Sequence, residues 1–290
     1  MRKKFGCTNK LKTCMNADLA ILIPLHKDLM LDAEEYKSVR NTINQCAHRA
    51  IYFVMPKLAH GDFHVVQSLI NEFQVRISLW EDHHFEHVEA YSKLLLNREF
   101  YRSFKDYSYI AIVQTDVWIF QDDFDRYKKL GYSYIGGLVF KRWYRKKEWR
   151  IDQLLSPING GMSLRKVDDF LNLLDSNKRL GLYFLFRRMY VLLKKGRYSL
   201  STWVDLLRTQ RICAYAEVAE FNEDVVLYYA SLKEPGFTIP KCLEVKYFCW
   251  DTAPWELMNA FKNLPMAAHA YSRNDFPYEG NDLFWREYCK

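Results

Sequence analysis

Tyr109-Ile110-Ala111-Ile112-Val113-Gln114-Thr115-Asp116 decides the fold of this 290-residue chain. Five consecutive apolar residues read as a strand buried on both faces, the habit of a parallel sheet covered by helices. The polar triplet Gln114-Thr115-Asp116 closes the run. In open α/β sheets ligands sit beyond the carboxyl ends of the strands, so Asp116 falls where a ligand is expected.

Upstream of this strand the pattern alternates. Leu19 to Leu25 (LAILIPL) is a short apolar strand running into Pro24, Leu25 and His26. Apolar positions at helical spacing follow at Ala33, Tyr36, Val39, Ile43 and Ala47. Ile51 to Met55 is a second strand, stopped by Pro56. Residues 64–73 read as a helix, Val75 to Leu79 as a third strand, and residues 86–104 as one long helix. Strand–helix alternation of this kind predicts an α/β, Rossmann-like sheet, mainly parallel and flanked by helices.

Downstream the pattern loosens. Tyr134 to Val139 reads as a strand with an internal glycine pair, and Asn159-Gly160-Gly161 as a turn leading into Met162-Ser163-Leu164. Residues 166–175 and 201–210 read as helices, with Ser201 and Thr202 as candidate caps. There is no internal repeat.

Composition narrows the function classes. Hydrophobic residues make up 49% of the chain, enough for a sizeable core and too many for a disordered one. Forty-two basic against 35 acidic residues leave +7, too modest and scattered to imply nucleic acid. The basic residues gather in Lys141 to Arg150 and Arg187 to Arg197. The 20 Tyr, 19 Phe and 8 Trp suit pockets where flat rings meet sugars and bases. Cys7, Cys14, Cys46, Cys213, Cys242, Cys249 and Cys289 form no CxxC pair, which argues against structural zinc and for a reduced, cytoplasmic setting. No apolar run approaches the roughly 20 residues of a membrane-spanning helix.

Several residues carry chemistry and also have plainer readings. Asp116 at its strand end suits a divalent cation, or simply caps a loop. Glu223-Asp224 offers two carboxylates ahead of a helix, either as a general base or, with Asn222 as cap, as partners of the helix's positive end. A lone His269 on an apolar strand is commonly structural. His83, His84 and His87 cluster without a matching Cys or carboxylate set. On a helix over 182–193, Leu182, Leu185, Phe186, Met189, Leu192 and Leu193 share one face, with Arg187, Arg188, Lys194 and Lys195 on the other. That pattern fits a core-packing helix or one lying on an anionic membrane surface.

Taken in chain order, these elements resemble the GT-A class of glycosyltransferases. More closely, the chain resembles an uncharacterised bacterial family (a domain of unknown function, DUF5672-like) grouped with those enzymes. The resemblance runs from Ile21 to Arg273. It rests on Tyr91-Ser92-Lys93-Leu94, Glu99-Phe100-Tyr101, Gln114 to Phe120, Tyr134-Ile135-Gly136, Asn159 to Arg165, Asn222 to Val225, and Pro265 to His269 with Tyr271.

What the resemblance implies is a GT-A-like domain over 19–275. The donor half would span 19–125, the acceptor half 130–275, and a helical insertion 176–212, between an extension (1–18) and a tail (276–290). The activity implied is transfer of a sugar from a nucleotide-sugar donor to a carbohydrate or glycolipid hydroxyl, with inversion, in bacterial surface polysaccharide or glycolipid synthesis. Mn2+ or Mg2+ would be held by Asp116 and His269. Gln114 stands where the family's Asp-x-Asp signature has its first Asp. Pro24, Lys93, Gln114 and Thr115 would join Asp116 at the donor, and Asn159, Gly160, Gly161 and Ser163 would floor the sugar and acceptor. Asp224 would be the base, with Glu223 orienting the acceptor. The rivals are a catalytically inactive binding or membrane-associated protein, and a sugar-nucleotide nucleotidyltransferase. The latter needs a glycine-rich loop after the first strand, which Pro24-Leu25-His26-Lys27-Asp28 is not. Such a protein would sit in the cytoplasm, at the inner face of the membrane if the 182–193 helix docks there.

Overall fold

The structure is a computed structural model describing residues 18–58, 63–140, 150–176, 180–194, 196, 199–209, 211–215, 221–275 and 277–290. Among the described residues nine strands form one sheet: β1 (Leu19–Pro24), β2 (Ala50–Pro56), β3 (Arg76–Trp80), β4 (Tyr109–Val113), β5 (Val117–Ile119), β6 (Tyr134–Phe140), β7 (Leu154–Lys166), β8 (Cys249–Trp250) and β9 (Ala267–His269). Their order is β3-β2-β1-β4-β7-β6-β8-β9-β5. The β3-β2-β1-β4 half is parallel, while β7 runs antiparallel to both β4 and β6. The sheet is therefore mixed but mainly parallel, as the sequence pattern predicts.

The helices are α1 (Ala33–Gln45), α2 (His64–Phe73), α3 (Val88–Leu95), α4 (Arg98–Arg102), α5 (Phe124–Lys128), α6 (Val167–Asp175), α7 (Leu182–Lys194), α8 (Leu200–Arg208), α9 (Ile212–Tyr215), α10 (Glu223–Ser231), α11 (Pro254–Phe261) and α12 (Asn281–Trp285). Side chains alternate across a strand, and the two cores follow that period. Leu19, Ile21 and Ile23 pack with α1, α2 and α5, whereas Ala20 and Leu22 pack with α3, α4, α6 and α10. Burial on both faces explains why β1 and β4 read as unbroken apolar runs. A third cluster gathers Trp118, Trp250, Leu257, Phe284 and Trp285 around β5, β8, β9, α11 and α12. The segment expected as a tail thus contributes the buried Trp285.

Three local expectations change. The helix read over 86–104 divides into α3 and α4, because the Asn97 side chain accepts the Glu99 amide and starts a new helix. The cap of α8 is Ser199, whose hydroxyl accepts the Thr202 amide, and not Ser201 or Thr202. Asn159-Gly160-Gly161 is not a turn: it lies inside β7, where Gly136 pairs with Ser163 but Gly137 pairs with Asn159. Residues 160–162 therefore bulge from the β6 ladder, a device that re-aims a strand beside a site.

The 182–193 helix forms as α7, but its buried side is not the expected one. Phe184, Arg188 and Leu192 face inward, while Leu182, Phe186 and Leu193 are exposed. Arg188, expected on the solvated face, is fully buried; its guanidinium donates to the Leu206 and Thr209 carbonyls and to the Thr209 hydroxyl. The basic stretch 141–149 and residues Lys195 and Arg197 lie outside the described residues. So do residues 1–17 of the expected extension. Among the described residues no helix is long and apolar enough to cross a membrane. Cys46, Cys242, Cys249 and Cys289 are free thiols.

Candidate functional site

A cavity of about 440 Å³ opens where β1 and β4 end, between the two neighbours at which the strand order reverses. Pro24, Leu25 and His26 line it from β1, and Gln114, Thr115 and Asp116 from β4. Tyr91, Glu86, His87 and Arg273 complete its wall with Glu35. The expected donor residues Pro24, Gln114, Thr115 and Asp116 are all in this lining. Lys93 is not; it lies on α3 away from the cavity.

Glu35 organises one side. It is the third residue of the α1 capping box, with Asp32 as cap. Its carboxylate also accepts the Thr115 hydroxyl at 2.6 Å and pairs with His26 Nε2 at 2.8 Å. The hydrogen bond to Glu35 holds His26 above its usual pKa. Tyr91 carries a buried hydroxyl with no partner among the described residues.

Asp116 meets His269 across the floor. The carboxylate Oδ1 lies 3.3 Å from His269 Nε2. On the far side of the ring, His269 Nδ1 contacts Asp251 Oδ1 at 2.5 Å. Asp251 is itself fixed: Asn159 Nδ2 donates to its other oxygen at 3.1 Å, and the Asn281 amide holds its backbone carbonyl at 2.8 Å. Burial opposes a charge on His269, but Asp116 and Asp251 outweigh it and raise the imidazolium to about 10. Burial likewise opposes the Asp116 carboxylate, and His269 outweighs it in turn, holding its pKa below the usual value.

The spacing of these residues suits two ligands of a divalent cation, which would have to displace the His269 Nε2 proton. Two cis ligands on an octahedral ion at its usual bond lengths are about 3 Å apart, and Asp116 and His269 already stand at that separation. A ligating His normally gives its second nitrogen to a carboxylate, and Asp251 occupies that place. Among the described residues no group of three or more His, Cys, Asp or Glu side chains is arranged to hold a metal. Water and ligand oxygens would have to complete the shell. His83, His84 and His87 form no such group either.

The β7 bulge joins this pair to the carboxylates of α10. The Gly161 amide donates to Asn159 Oδ1 at 2.9 Å, and the Gln114 amide donates to the Gly161 carbonyl at 2.9 Å. A Cβ on Gly161 would stand 2.3 Å from His269 Nε2, and one on Gly160 would stand 2.5 Å from Glu223 Oε1. The two glycines are thus required by close approach, since neither has a positive φ. Gly161→Ala should destabilise the fold by about 1–3 kcal/mol, the usual cost of overpacking, and should displace His269. Denaturant unfolding checks this, and wild-type stability in that variant would refute the packing.

Glu223 and Asp224 differ sharply. Glu223 is buried against Arg165, whose Nη2 lies 3.0 Å from Oε1. Arg165 is fully buried and spends its other donors on the Tyr101 hydroxyl and Ser163 Oγ, both at 2.9 Å. Ser163, expected at the sugar, is buried beneath the bulge as a support for Arg165. Asn222 precedes α10 as its cap residue but makes no side-chain capping bond. Asp224 is partly buried, accepts from the Val225 amide at 2.6 Å and lies against the Gly160 backbone. Burial first, and the neighbouring Glu223 charge second, push its carboxyl up to about 7.

The structure brings Asp116, His269, Asn159, Gly160, Gly161, Glu223 and Asp224 onto one bulged strand and its neighbours. It adds Asp251, Glu35, Arg165 and Arg273, which the sequence reading missed. Asp251 had a signal: it directly follows the short apolar strand Cys249–Trp250, as Asp116 stands just beyond the end of β4.

The family described as "Protein of unknown function (DUF5672)" matches residues 74–269, which hold the bulge, both carboxylate groups and His269. The chain belongs to this family. The chain is similar to the galactosyltransferase LgtC, solved with donor and acceptor sugar analogs. That likeness has 11% identity and a TM-score of 0.51, over 92% of this chain and 94% of that one. It is also similar to mouse xyloside xylosyltransferase 1 in its apo form, at 13% identity and a TM-score of 0.44, over 87% of this chain and 97% of that one. At such identities the first likeness shows the fold, which is GT-A. No curated protein matches the chain.

Proposed function

We propose that this protein transfers a glycosyl group from a nucleotide-sugar donor to a hydroxyl of a carbohydrate or glycolipid acceptor, with inversion. The observation that carries the reading is the shared bulge: Gly161 packs on the Asp116–His269 pair, and Gly160 on Glu223 and Asp224. Charge-neutralising and proton-accepting groups thus meet on one strand, as displacement of a diphosphate by a hydroxyl requires.

In this reading the cavity at the ends of β1 and β4 takes the donor nucleotide. Asp116 and His269 would hold Mn2+ or Mg2+, which would supply positive charge to the departing diphosphate. Arg273, lining the same cavity and paired with Asp275 through Nε and Nη2 at 2.9 and 2.6 Å, would turn toward the phosphates. Asp224 takes the proton of the acceptor hydroxyl as its oxygen bonds to the anomeric carbon and the bond to the diphosphate breaks. Glu223, held in place by Arg165, serves as a positioning residue whose charge keeps Asp224 basic. In this reading the donor is held mostly by residues of 19–125, with His269 and Arg273 contributed from 130–275. A place in bacterial surface polysaccharide or glycolipid synthesis follows from the same reading.

Thermal unfolding against a panel of nucleoside diphosphates, with and without Mn2+, tests this. A ligand at a hundredfold excess over its Kd stabilises by about 2.7 kcal/mol, so one base should raise Tm by several degrees and more so with Mn2+. Absence of any shift with every nucleotide would overturn the donor site. Binding without donor hydrolysis or transfer would instead favour a protein that keeps the fold and has lost the chemistry.

A further inference from the structure

Helices α7 and α8 leave a conspicuous part of their surfaces uncovered. On α7, Leu182, Phe186, Tyr190 and Leu193 are 72%, 61%, 66% and 41% exposed. Spacings of four, four and three place them in one stripe. On α8, Leu200, Val204 and Leu207 repeat the stripe at 80%, 55% and 66% exposure. The two helices are fixed to each other through Arg188, which holds the carbonyls at the end of α8. Single exposed apolar residues need no explanation, but two whole helical stripes do.

The charge around the stripes says what covers them. Among the described residues of this stretch Arg187, Lys194, Arg208 and Arg211 are exposed bases, against the single Asp205, which pairs with Arg208 at 3.9 Å. Lys194 and Arg187 border the apolar stripe of α7 along one side, about a quarter of a turn round the helix, and Arg208 is exposed at the end of α8. Apolar and tyrosine side chains bordered by basic ones suit the boundary between acyl chains and anionic headgroups. A second copy of this chain would bring the same exposed bases against one another.

We propose that the α7–α8 face docks the protein on an anionic bilayer surface, lying on it without crossing it. This inference stands independently of the reading of the cavity. It keeps Arg188 out of the lipid contact and places Tyr190 and the α8 residues in it, unlike the face that helical periodicity alone selects.

Vesicle sedimentation of the full chain tests it, using phosphatidylcholine with and without 30 mol% phosphatidylglycerol as an order-of-magnitude match to an anionic leaflet. The wild type should partition to the anionic vesicles and lose binding as salt screens the charges. The double variant Phe186→Ser with Leu207→Ser should bind roughly tenfold less or weaker still. Lys194→Gln with Arg208→Gln should lose roughly fivefold per charge, on anionic vesicles only. Leu283→Ser, at an exposed leucine on α12, should bind as wild type, and all variants should keep the wild-type Tm. Three results overturn the proposal: no partition to anionic vesicles, equal partition to neutral ones, or equal loss in Leu283→Ser. A self-association in sedimentation velocity that Phe186→Ser with Leu207→Ser abolishes would assign the face to a second copy instead.

Discussion

Asp116→Ala should remove glycosyl transfer, with turnover reduced by at least about 100-fold, while the fold is kept. The size follows from the several kcal/mol that a cation contributes at a departing oxyanion. Asp116 is replaceable structurally because its carboxylate touches one partner, His269 Nε2 at 3.3 Å, and His269 keeps Asp251 on its other nitrogen. Asp116→Asn retains the shape and removes the charge, so it should cost nearly as much. Both variants should lose the Mn2+-dependent part of nucleotide binding in calorimetry. Asp251→Asn acts one step further out. It should weaken metal binding by about 10- to 100-fold, the usual effect of losing the carboxylate behind a ligating His. Full activity in Asp116→Ala would remove the metal assignment and leave His269 as a buried ion-paired residue.

The parallel half of the sheet was legible because its strands are buried on both faces and its helices are short and regular. β4 and α2 fall on the residues the pattern selects, and β1 and β2 differ only at their ends. Asp116 was legible for the same reason, since strand ends mark the ligand edge. The second half resisted because its signals are tertiary. Gly160 and Gly161 look like a turn to a local reading, yet their reason is the side chains of Glu223 and His269, 63 and 108 residues away. Nothing near Arg165 announces that it will be buried with Glu223, Tyr101 and Ser163. Helical periodicity does not select the buried face of α7, because the apolar stripe Leu182, Phe186 and Leu193 stays exposed. Arg188 goes inside because it finds the Thr209 hydroxyl and two carbonyls, which satisfy its donors.

Asp224→Asn should lower turnover by roughly 100-fold or more and leave nucleotide binding near wild type, because it keeps the shape and removes only the basicity. The pH profile makes the assignment specific. Burial, then the Glu223 charge, raise the Asp224 carboxyl to about 7, with Arg165 pulling the other way and the Tyr134 hydroxyl among its neighbours. A base must be deprotonated to act, so wild-type turnover should rise as pH increases through about 7 and fall away below it. Asp224→Asn should abolish that acidic limb. Glu223→Gln should move the limb to lower pH, since the like charge that raised it is gone. It should also cost about 3–5 kcal/mol of stability by leaving Arg165 buried without its counter-charge. The two effects separate a positioning residue from a base: Glu223→Gln shifts the limb and weakens the fold, whereas Asp224→Asn removes the limb. If Asp224→Asn keeps near-normal turnover with the limb in place, the base lies elsewhere. The pair then serves only to start α10 and to neutralise Arg165.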